Sequence, residues 1–468
     1  NPDGFTEINQ ILTRYKLSNE ALPVRFPAGH NVFVVYPFEA LRCEEGIQAG
    51  LNRPTEMEYI GVMPRDIPLL YQGSWQKTGP GMQKMVALNP VSFRDATQYK
   101  LHRYLRAIDN NLLLSHLSPA HTGMPQDVVV GPDQIKKRYG AFAFLSDNAN
   151  KLLQSCRMDF DFHSMKNKRS FTGDPVQDRA LLAGLAQNGL LHRYGSRNQE
   201  AARRVKHELE IIDRLGFCAY FLITHDIIRY SMSRGFYHVG RGSGANSIVA
   251  YCLRITDVDP IELDLYFERF INPKRASPPD FDIDFSWKDR DQVLEYIFGR
   301  YGNTHTALLG TSVTFRRRSI IRELGKVTGL PKGEIDLLAE GRPQDSAAGD
   351  SLVAVISSVG EQLADFPNIR SIHAGGVLIS EAPVCSYSIL DLPPKGFPTV
   401  QWDMYTAEDL GFEKIDILSQ RGIGHINECV EIVKKNRKIT VDAHQIERFK
   451  NDPAVRQLLR SGETTGCF

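Results

Sequence analysis

Asp280, Asp282 and Asp284 alternate with Phe281, Ile283 and Phe285 in the segment from Pro279 to Phe285. A period of two is that of a strand with one buried face. The apolar residues are expected to face a core and the carboxylates to share the other side. Aspartate is disfavoured in strands, and like charges two residues apart on one face repel across roughly 7 Å. Such a pattern is kept where a cation neutralises it. Carboxylate oxygens suit hard ions such as Mg²⁺. Two carboxylates from one strand can bridge a metal pair about 3.5–4 Å apart, an arrangement suited to phosphoryl and nucleotidyl transfer. A solvated edge strand with an acidic face is the plain alternative.

About 40 residues upstream, Gly240, Gly242 and Gly244 flank Arg241 and Ser243, and the run Ile248-Val249-Ala250-Tyr251 follows. Glycines at alternate positions permit positive φ and close backbone approach. Ser243, Asn246 and Ser247 are helix N-cap types. A turn feeding a helix start would offer free N–H groups and a positive dipole end to phosphate. Arg241 would add a two-pronged donor. The spacing is neither the dinucleotide fingerprint nor a P-loop, since no Gly-Lys-Ser/Thr closes it. Alone it could be a tight turn. Ahead of an acidic strand, it reads as the phosphate cradle of a nucleotidyltransferase palm.

These stretches, together with Ile255-Thr256-Asp257-Val258-Asp259-Pro260, Phe267-Glu268-Arg269-Phe270-Ile271-Asn272-Pro273, His373-Ala374-Gly375-Gly376-Val377 and Glu413-Lys414-Ile415-Asp416-Ile417-Leu418, resemble the bacterial replicative DNA polymerase III α subunits, the C family of DNA polymerases. The palm start resembles Glu208 to Ile212 and Tyr220 to Ile223, and the opening of the fingers resembles Gly462 to Phe468. The resemblance is close from about residue 170 onward and patchy before it. It implies an α/β multidomain chain with a polymerase-β-like nucleotidyltransferase palm and a helical thumb insertion. It assigns Asp282, Asp284 and Asp416 as catalytic carboxylates and ligands of two Mg²⁺ ions, with Gly242 and Ser243 holding the triphosphate of a dNTP. Gly411 to Leu418 reads as a strand with Phe412, Lys414 and Asp416 on one side, so the Lys414 ammonium is expected near the same phosphates, as is Arg241. The implied reaction is attack of a primer 3′-hydroxyl on the α-phosphate, with release of pyrophosphate. Apart from the family match, Asp416 would read as a surface strand carboxylate. His373 matches the family and is at least as well explained as a hydrogen-bonded structural histidine, and His238 as local scaffolding. Asp280 is expected to shape the turn or support the ligands. Arg269 and Arg275 could reach the triphosphate or pair with the aspartates.

The chain of 468 residues is 42% hydrophobic and 24% charged, which suits a multidomain globular protein. Its net charge of +1 gives no global nucleic-acid signature, so a DNA site needs a local patch. The best is Arg316-Arg317-Arg318, continuing to Arg322 and Lys326. On a helix Arg318 and Arg322 share one face while Ile320, Ile321 and Leu324 seat the other. Arg316 and Arg318 are expected at the nucleotide, and Arg317, Arg322 and Lys326 at DNA phosphates. A solvated helix face is the alternative, and the cluster is richer in arginine than the family usually shows. Seven cysteines stand without a Cys-x-x-Cys pair or a secretory leader, which points to a reducing, cytoplasmic setting. No apolar run is long enough to span a bilayer.

Five regions are expected: a partial, degenerate PHP-like α/β domain (1–161), palm (162–314), thumb (315–371), returning palm (372–421) and the start of the fingers (422–468). The family's N-terminal PHP domain carries a His-x-His metal motif that is absent here, and Asn89-Pro90-Val91-Ser92 stands where the family has Asn-Asp-Val-His. This region is expected to bind no metal, to have no proofreading activity and to scaffold the palm; an unrelated globular segment is the alternative. Strands are expected at 32–36 and 59–62, and helices at 99–117, 133–142 and 287–301. The chain reads as a piece of a longer polymerase, inactive or nearly so by itself, that works on template–primer DNA. Other replisome subunits (sliding clamp, clamp loader) would bind regions mostly outside it. Rival readings are a template-independent nucleotidyltransferase and a catalytically silent DNA-binding or docking segment. The residues leave open whether the parent is a main replicase or an error-prone paralogue.

Overall fold

The computed structural model describes the chain except residue 28 and residues 72–80, 272–280, 342–346 and 466–468; side chains of 347–351 and 446–447 are likewise outside it. Asp280 and Arg275 therefore lie outside the described residues. The rest forms two compact units, one of residues 1–11, 19–159 and 312–371, the other of residues 12–18, 160–311 and 372–468.

The first unit has a three-stranded parallel sheet of β1 (Val34–Pro37), β2 (Glu58–Val62) and β3 (Met85–Ala87). The first expected strand begins two residues later than its apolar run, at Val34. Tyr36, Ile60, Val62, Met85 and Tyr139 fill the core against it. The buried Tyr139 hydroxyl donates to a backbone carbonyl, with Val62 O at 3.1 Å and Leu88 O at 3.0 Å. Glu58 is buried beside Arg25, whose guanidinium holds its carboxyl down at about 2. The helix expected over 99–117 ends early, at Asn110, because Asn111 takes the left-handed conformation (φ 50°) that closes a helix. The helix expected over 133–142 spans Pro132–Tyr139 and tightens into one 3₁₀ turn, Gly140–Phe142. Residues 312–371 contribute the helices Arg317–Thr328, Lys332–Ala339 and Ala347–Leu363 to this unit. Ile320, Leu324 and Val327 share a second core with Tyr104, Ala107 and Phe315. The expected helix stop at Gly329-Leu330-Pro331 is present, with Gly329 at φ +86°.

The second unit is built on a seven-stranded sheet in the order β4-β5-β10-β7-β6-β9-β8. The strands are β4 (His238–Arg241), β5 (Asp282–Ser286), β6 (Thr306–Thr314, in this unit as far as Thr311), β7 (Pro367–Ile379, in this unit from Ile372), β8 (Leu390–Asp391), β9 (Thr399–Val400) and β10 (Ile415–Gln420). Helices Pro175–Tyr194, Gln199–Arg214, Cys218–Ser233 and Arg290–Tyr301 cover its apolar face. The helix expected from Trp287 begins at Arg290; Val293 and Ile297 are buried and Tyr296 partly so. The buried Arg290 donates to Ile417 O and Ala374 O, both at 2.7 Å, tying β10 to β7. One expectation fails locally. The second acidic strand does not run from Gly411: Gly411 sits at φ +86°, β10 starts at Ile415, and Phe412 packs with Leu309, Leu378 and Val400 in a separate cluster. A positive-φ glycine breaks the extended chain, so the strand starts after the turn.

Candidate active site

Strand register builds the site. β10 pairs parallel with β5, with Asp416 opposite Asp282 and Leu418 opposite Asp284. β4 pairs antiparallel on the other side, with Arg241 opposite Asp282. Directly paired residues project to the same face of a sheet. Asp282, Asp284, Asp416 and Arg241 therefore share one face. Phe281, Ile283, Phe285, Ile415 and Ile417 form the other and are buried in the core. The expected alternation of apolar and acidic residues is present throughout the described part of the motif.

Cations sit among the carboxylates. Arg241 forks between two of them, donating from Nε to Asp284 Oδ2 at 2.8 Å and from Nη1 to Asp282 Oδ2 at 3.1 Å. Lys414 Nζ lies 2.5 Å from Asp416 Oδ2. Each of the two buried aspartates keeps one oxygen in reserve: Asp284 Oδ1 and Asp416 Oδ1 are buried without a hydrogen-bond partner. Burying a carboxylate oxygen unpartnered is costly, so these atoms call for a donor or a cation. Hard oxygens of this kind fit Mg²⁺. They are not gathered into a ready-made cage: no cluster of three or more His, Cys, Asp or Glu side chains among the described residues is placed to hold an ion. Arg241 and Lys414 hold these like charges side by side.

A family profile described as "Bacterial DNA polymerase III alpha NTPase domain" matches residues 180–419, just over half of the 468-residue chain and all of this sheet face. The chain belongs to the bacterial DNA polymerase III alpha family. Among its relatives are an error-prone DNA polymerase of Symbiobacterium thermophilum, 32% identical over 402 residues (82% of this chain, 36% of that one). The DNA polymerase III subunit alpha of Bacillus subtilis is 34% identical over 336 residues, 68% of this chain and 30% of that one. The chain thus spans about a third of the length of the curated relatives it matches.

Within this polymerase III alpha segment, the glycine loop behaves differently from its sequence reading. Gly242 takes φ +76°, and a Cβ there would lie 3.1 Å from Asp282 Oδ2, so only glycine brings the backbone this near the carboxylate. Residues Gly242–Asn246 form a 3₁₀ turn, and Ser247, one of the three N-cap types in the loop, caps the helix Ile248–Cys252. The first N–H groups of that helix are not free for phosphate. Ile248 N and Val249 N donate to Glu208 at 3.2 Å each, and Ala250 N donates to Ser247 Oγ at 3.1 Å. Glu208 takes the N–H groups that the sequence reading left open to phosphate.

His373 is a hydrogen-bonded residue within β7: its Nδ1 accepts from Gly376 N at 2.8 Å and stands 3.7 Å from Asp416 Oδ1. A Cβ on Gly375 would lie 3.3 Å from Asp416 Oδ1 and 2.5 Å from Leu418, so glycine keeps the floor beside that carboxylate clear. His238 is buried, and Arg254 O lies 2.9 Å from its Nε2; desolvation lowers its pKa to about 4, which fits the scaffolding role. Arg269 is exposed on the 3₁₀ turn Phe267–Arg269. The basic cluster lies in the first unit. Arg317, Arg318, Arg322 and Lys326 are exposed on the helix Arg317–Thr328, while Arg316 is its N-terminal flanking residue and pairs with Asp365. Arg322 pairs with Asp336 at 3.7 Å and Lys326 with Glu323 at 2.5 Å.

Three residues that support the site have no role in the sequence reading. Tyr220 OH accepts from Phe281 N at 3.1 Å and donates to Lys414 O at 3.3 Å, joining the segments that lead into Asp282 and Asp416. Asn167 pairs through its side chain with both Glu413 O (2.6 Å) and Glu413 N (2.7 Å). Glu208 holds the glycine loop from behind. Tyr220 and Glu208 stand in motifs that resemble the family, but only tertiary contact assigns what they hold. Among the described residues, no helix is long and apolar enough to cross a membrane.

Proposed function

We propose that the chain carries the palm of a template-directed DNA polymerase that adds a dNTP to a primer 3′-hydroxyl. The observation that supports it best is the register that sets Asp416 beside Asp282, on the face that carries Asp284, with a buried oxygen of Asp284 and of Asp416 left unpartnered. Asp282, Asp284 and Asp416 would hold two Mg²⁺ ions. Bound there, Mg²⁺ would acidify the primer hydroxyl and offset charge on the triphosphate and the departing pyrophosphate. Arg241 and Lys414 reach the same face and are placed to take up phosphate charge when a nucleotide arrives. Gly242 brings the backbone beside Asp282, and Ser243, next in the loop, would add a hydroxyl donor. The chain's own contribution is position and charge, with no covalent step. Template–primer DNA would be held by exposed cations, and Arg317, Arg318, Arg322 and Lys326 form the candidate patch. The names of the relatives, a DNA polymerase III subunit alpha and an error-prone DNA polymerase, favour this reaction over a template-independent one.

The test is single-turnover primer extension by the full-length protein on a defined template with Mg²⁺. Template-directed incorporation that is lost in Asp416→Asn, with template–primer binding retained, is the expected result. Incorporation at the wild-type rate by that variant, or addition indifferent to the template base, would overturn the assignment.

A further inference from the structure

Glu208 is a buried carboxylate in the middle of the helix Gln199–Arg214, which packs against the helix Ile248–Cys252. It accepts from Ser247 Oγ at 2.8 Å, from Ile248 N and from Val249 N at 3.2 Å. Arg204, one helical turn earlier, donates to Glu208 Oε1 at 3.3 Å and to Asn246 O at 2.9 Å. The same guanidinium donates to Leu265 O at 2.6 Å. Asn246 Nδ2 in turn donates to Ser243 O at 2.7 Å. An ion pair on one helix thus grips Asn246, Ser247, Ile248 and Val249, and through Asn246 it reaches Ser243, while Gly242 stands against Asp282.

The geometry is that of a mould. A glycine-rich turn has many accessible conformations, and ordering it when nucleotide binds costs entropy unless it is ordered beforehand. A buried charged acceptor that takes two backbone N–H groups and a hydroxyl is a strong local constraint. It also satisfies N–H groups that could otherwise draw the triphosphate away from Asp282. Burial raises the Glu208 pKa to about 7, mainly through desolvation. A carboxylate kept in so apolar a place needs every one of these partners.

We propose that Glu208, paired with Arg204, is a positioning residue that pre-forms the Gly242–Ser247 loop for the dNTP triphosphate without touching the nucleotide. This rests on the polymerase reading above. Glu208→Gln keeps the shape but removes the charge and turns one acceptor into a donor that faces backbone N–H groups.

The experiment uses the full-length protein on a dideoxy-terminated template–primer, with Mg²⁺ and a non-hydrolysable α,β-imido dNTP as the binding probe, beside single-turnover extension. Glu208→Gln is expected to weaken dNTP binding about tenfold, the size of one lost charged hydrogen bond. DNA affinity and the rate at saturating dNTP should stay within about threefold of wild type, and Ser247→Ala should show the same split with a smaller shift. A merely structural role would lower melting temperature and active fraction while leaving nucleotide affinity per active molecule unchanged. That result, or tighter nucleotide binding once the negative charge is gone, would overturn the inference. Should Glu208→Gln fail to fold, Ser247→Ala decides by the same split. Asp282→Asn is run in parallel: if it extends primers like wild type, the polymerase reading has failed, whereas loss of activity there with unchanged nucleotide affinity in Glu208→Gln sinks this inference alone.

Discussion

The acidic sheet face and the basic helix carry charge in opposite ways. On the sheet, Asp284 and Asp416 are buried, their backbones are fixed by paired strands on both sides, and Arg241 and Lys414 contact them directly. On the helix Arg317–Thr328 the cations are exposed and only the apolar side, Ile320 and Leu324, is held in the core. A charge held by strands in a partly dry place acts on one point in space and is worth most where charge develops during reaction. A charge on a solvated stem acts over several ångströms, is screened by salt, and suits a partner that is itself a line of charges. The difference separates residues expected to set rate from residues expected to set affinity.

The comparison can be broken most directly at the carboxylates. On the proposed reading, in which Asp416 would hold Mg²⁺, Asp416→Asn in the full-length protein is expected to slow single-turnover incorporation by roughly a thousandfold or more. Template–primer binding should stay within about twofold. An equal loss of binding and rate would erase the distinction drawn between the two regions. On the helix, Arg318→Ala should weaken template–primer binding by a few-fold at moderate salt and lower the salt slope by about one. Turnover at saturating DNA should change little. A binding titration across several salt concentrations checks this, and an unchanged slope removes Arg318 from the DNA contact.

Smaller effects sharpen the view of the sheet as the rigid partner. Tyr220→Phe deletes the hydroxyl between Phe281 N and Lys414 O and leaves a buried N–H unsatisfied. Urea denaturation should show a loss of about 1–2 kcal/mol, and a stability equal to wild type would mean that the two acidic segments are held by strand pairing alone. The last effect is on pH dependence. Glu208 is raised from 4.5 to about 7 by burial, so folding takes up a proton. Its contribution is fully present below about pH 4.5 and is lost as pH rises through about 7. His238 is lowered from 6.5 to about 4, again by burial. The unfolded chain then binds the proton first, and stability is lost as pH falls from about 6.5 toward about 4. The two trends oppose each other in wild type. Glu208→Gln should remove one and leave stability rising with pH over that window; a pH profile parallel to wild type in denaturant titrations would contradict the assigned burial of Glu208.

Much of the site was legible because its signal is local. The alternation Phe281-Asp282-Ile283-Asp284-Phe285 has one strand solution that buries its aromatics, and the strand found there obeys it. The helix stop at Gly329-Leu330-Pro331 and the apolar side of the helix Arg317–Thr328 follow from the same kind of short-range rule. Where sequence reading overreached, a single backbone residue intervened. Asn111 closes the helix from Tyr99 in the left-handed conformation, and Gly411 delays the second acidic strand to Ile415. The start of the helix after the glycine loop differs for another reason. The loop's residue types read as a phosphate cradle with a free helix start, but the N–H groups of Ile248 and Val249 are taken by Glu208, which lies 40 residues before Ile248 in the chain.

The sequence by itself determined which side chains could face a cation. The type and period of residues 281–285 decide that on any strand, and the family match extends it to Asp416. Only the tertiary structure decided that Asp416 stands opposite Asp282 and not two residues out of step, that Arg241 bridges Asp282 and Asp284, and that Glu208 and Tyr220 hold the segments in place. Strand register and buried polar partners are set by long-range packing, where a shift of two residues keeps every apolar side chain inward yet moves each carboxylate by roughly 7 Å.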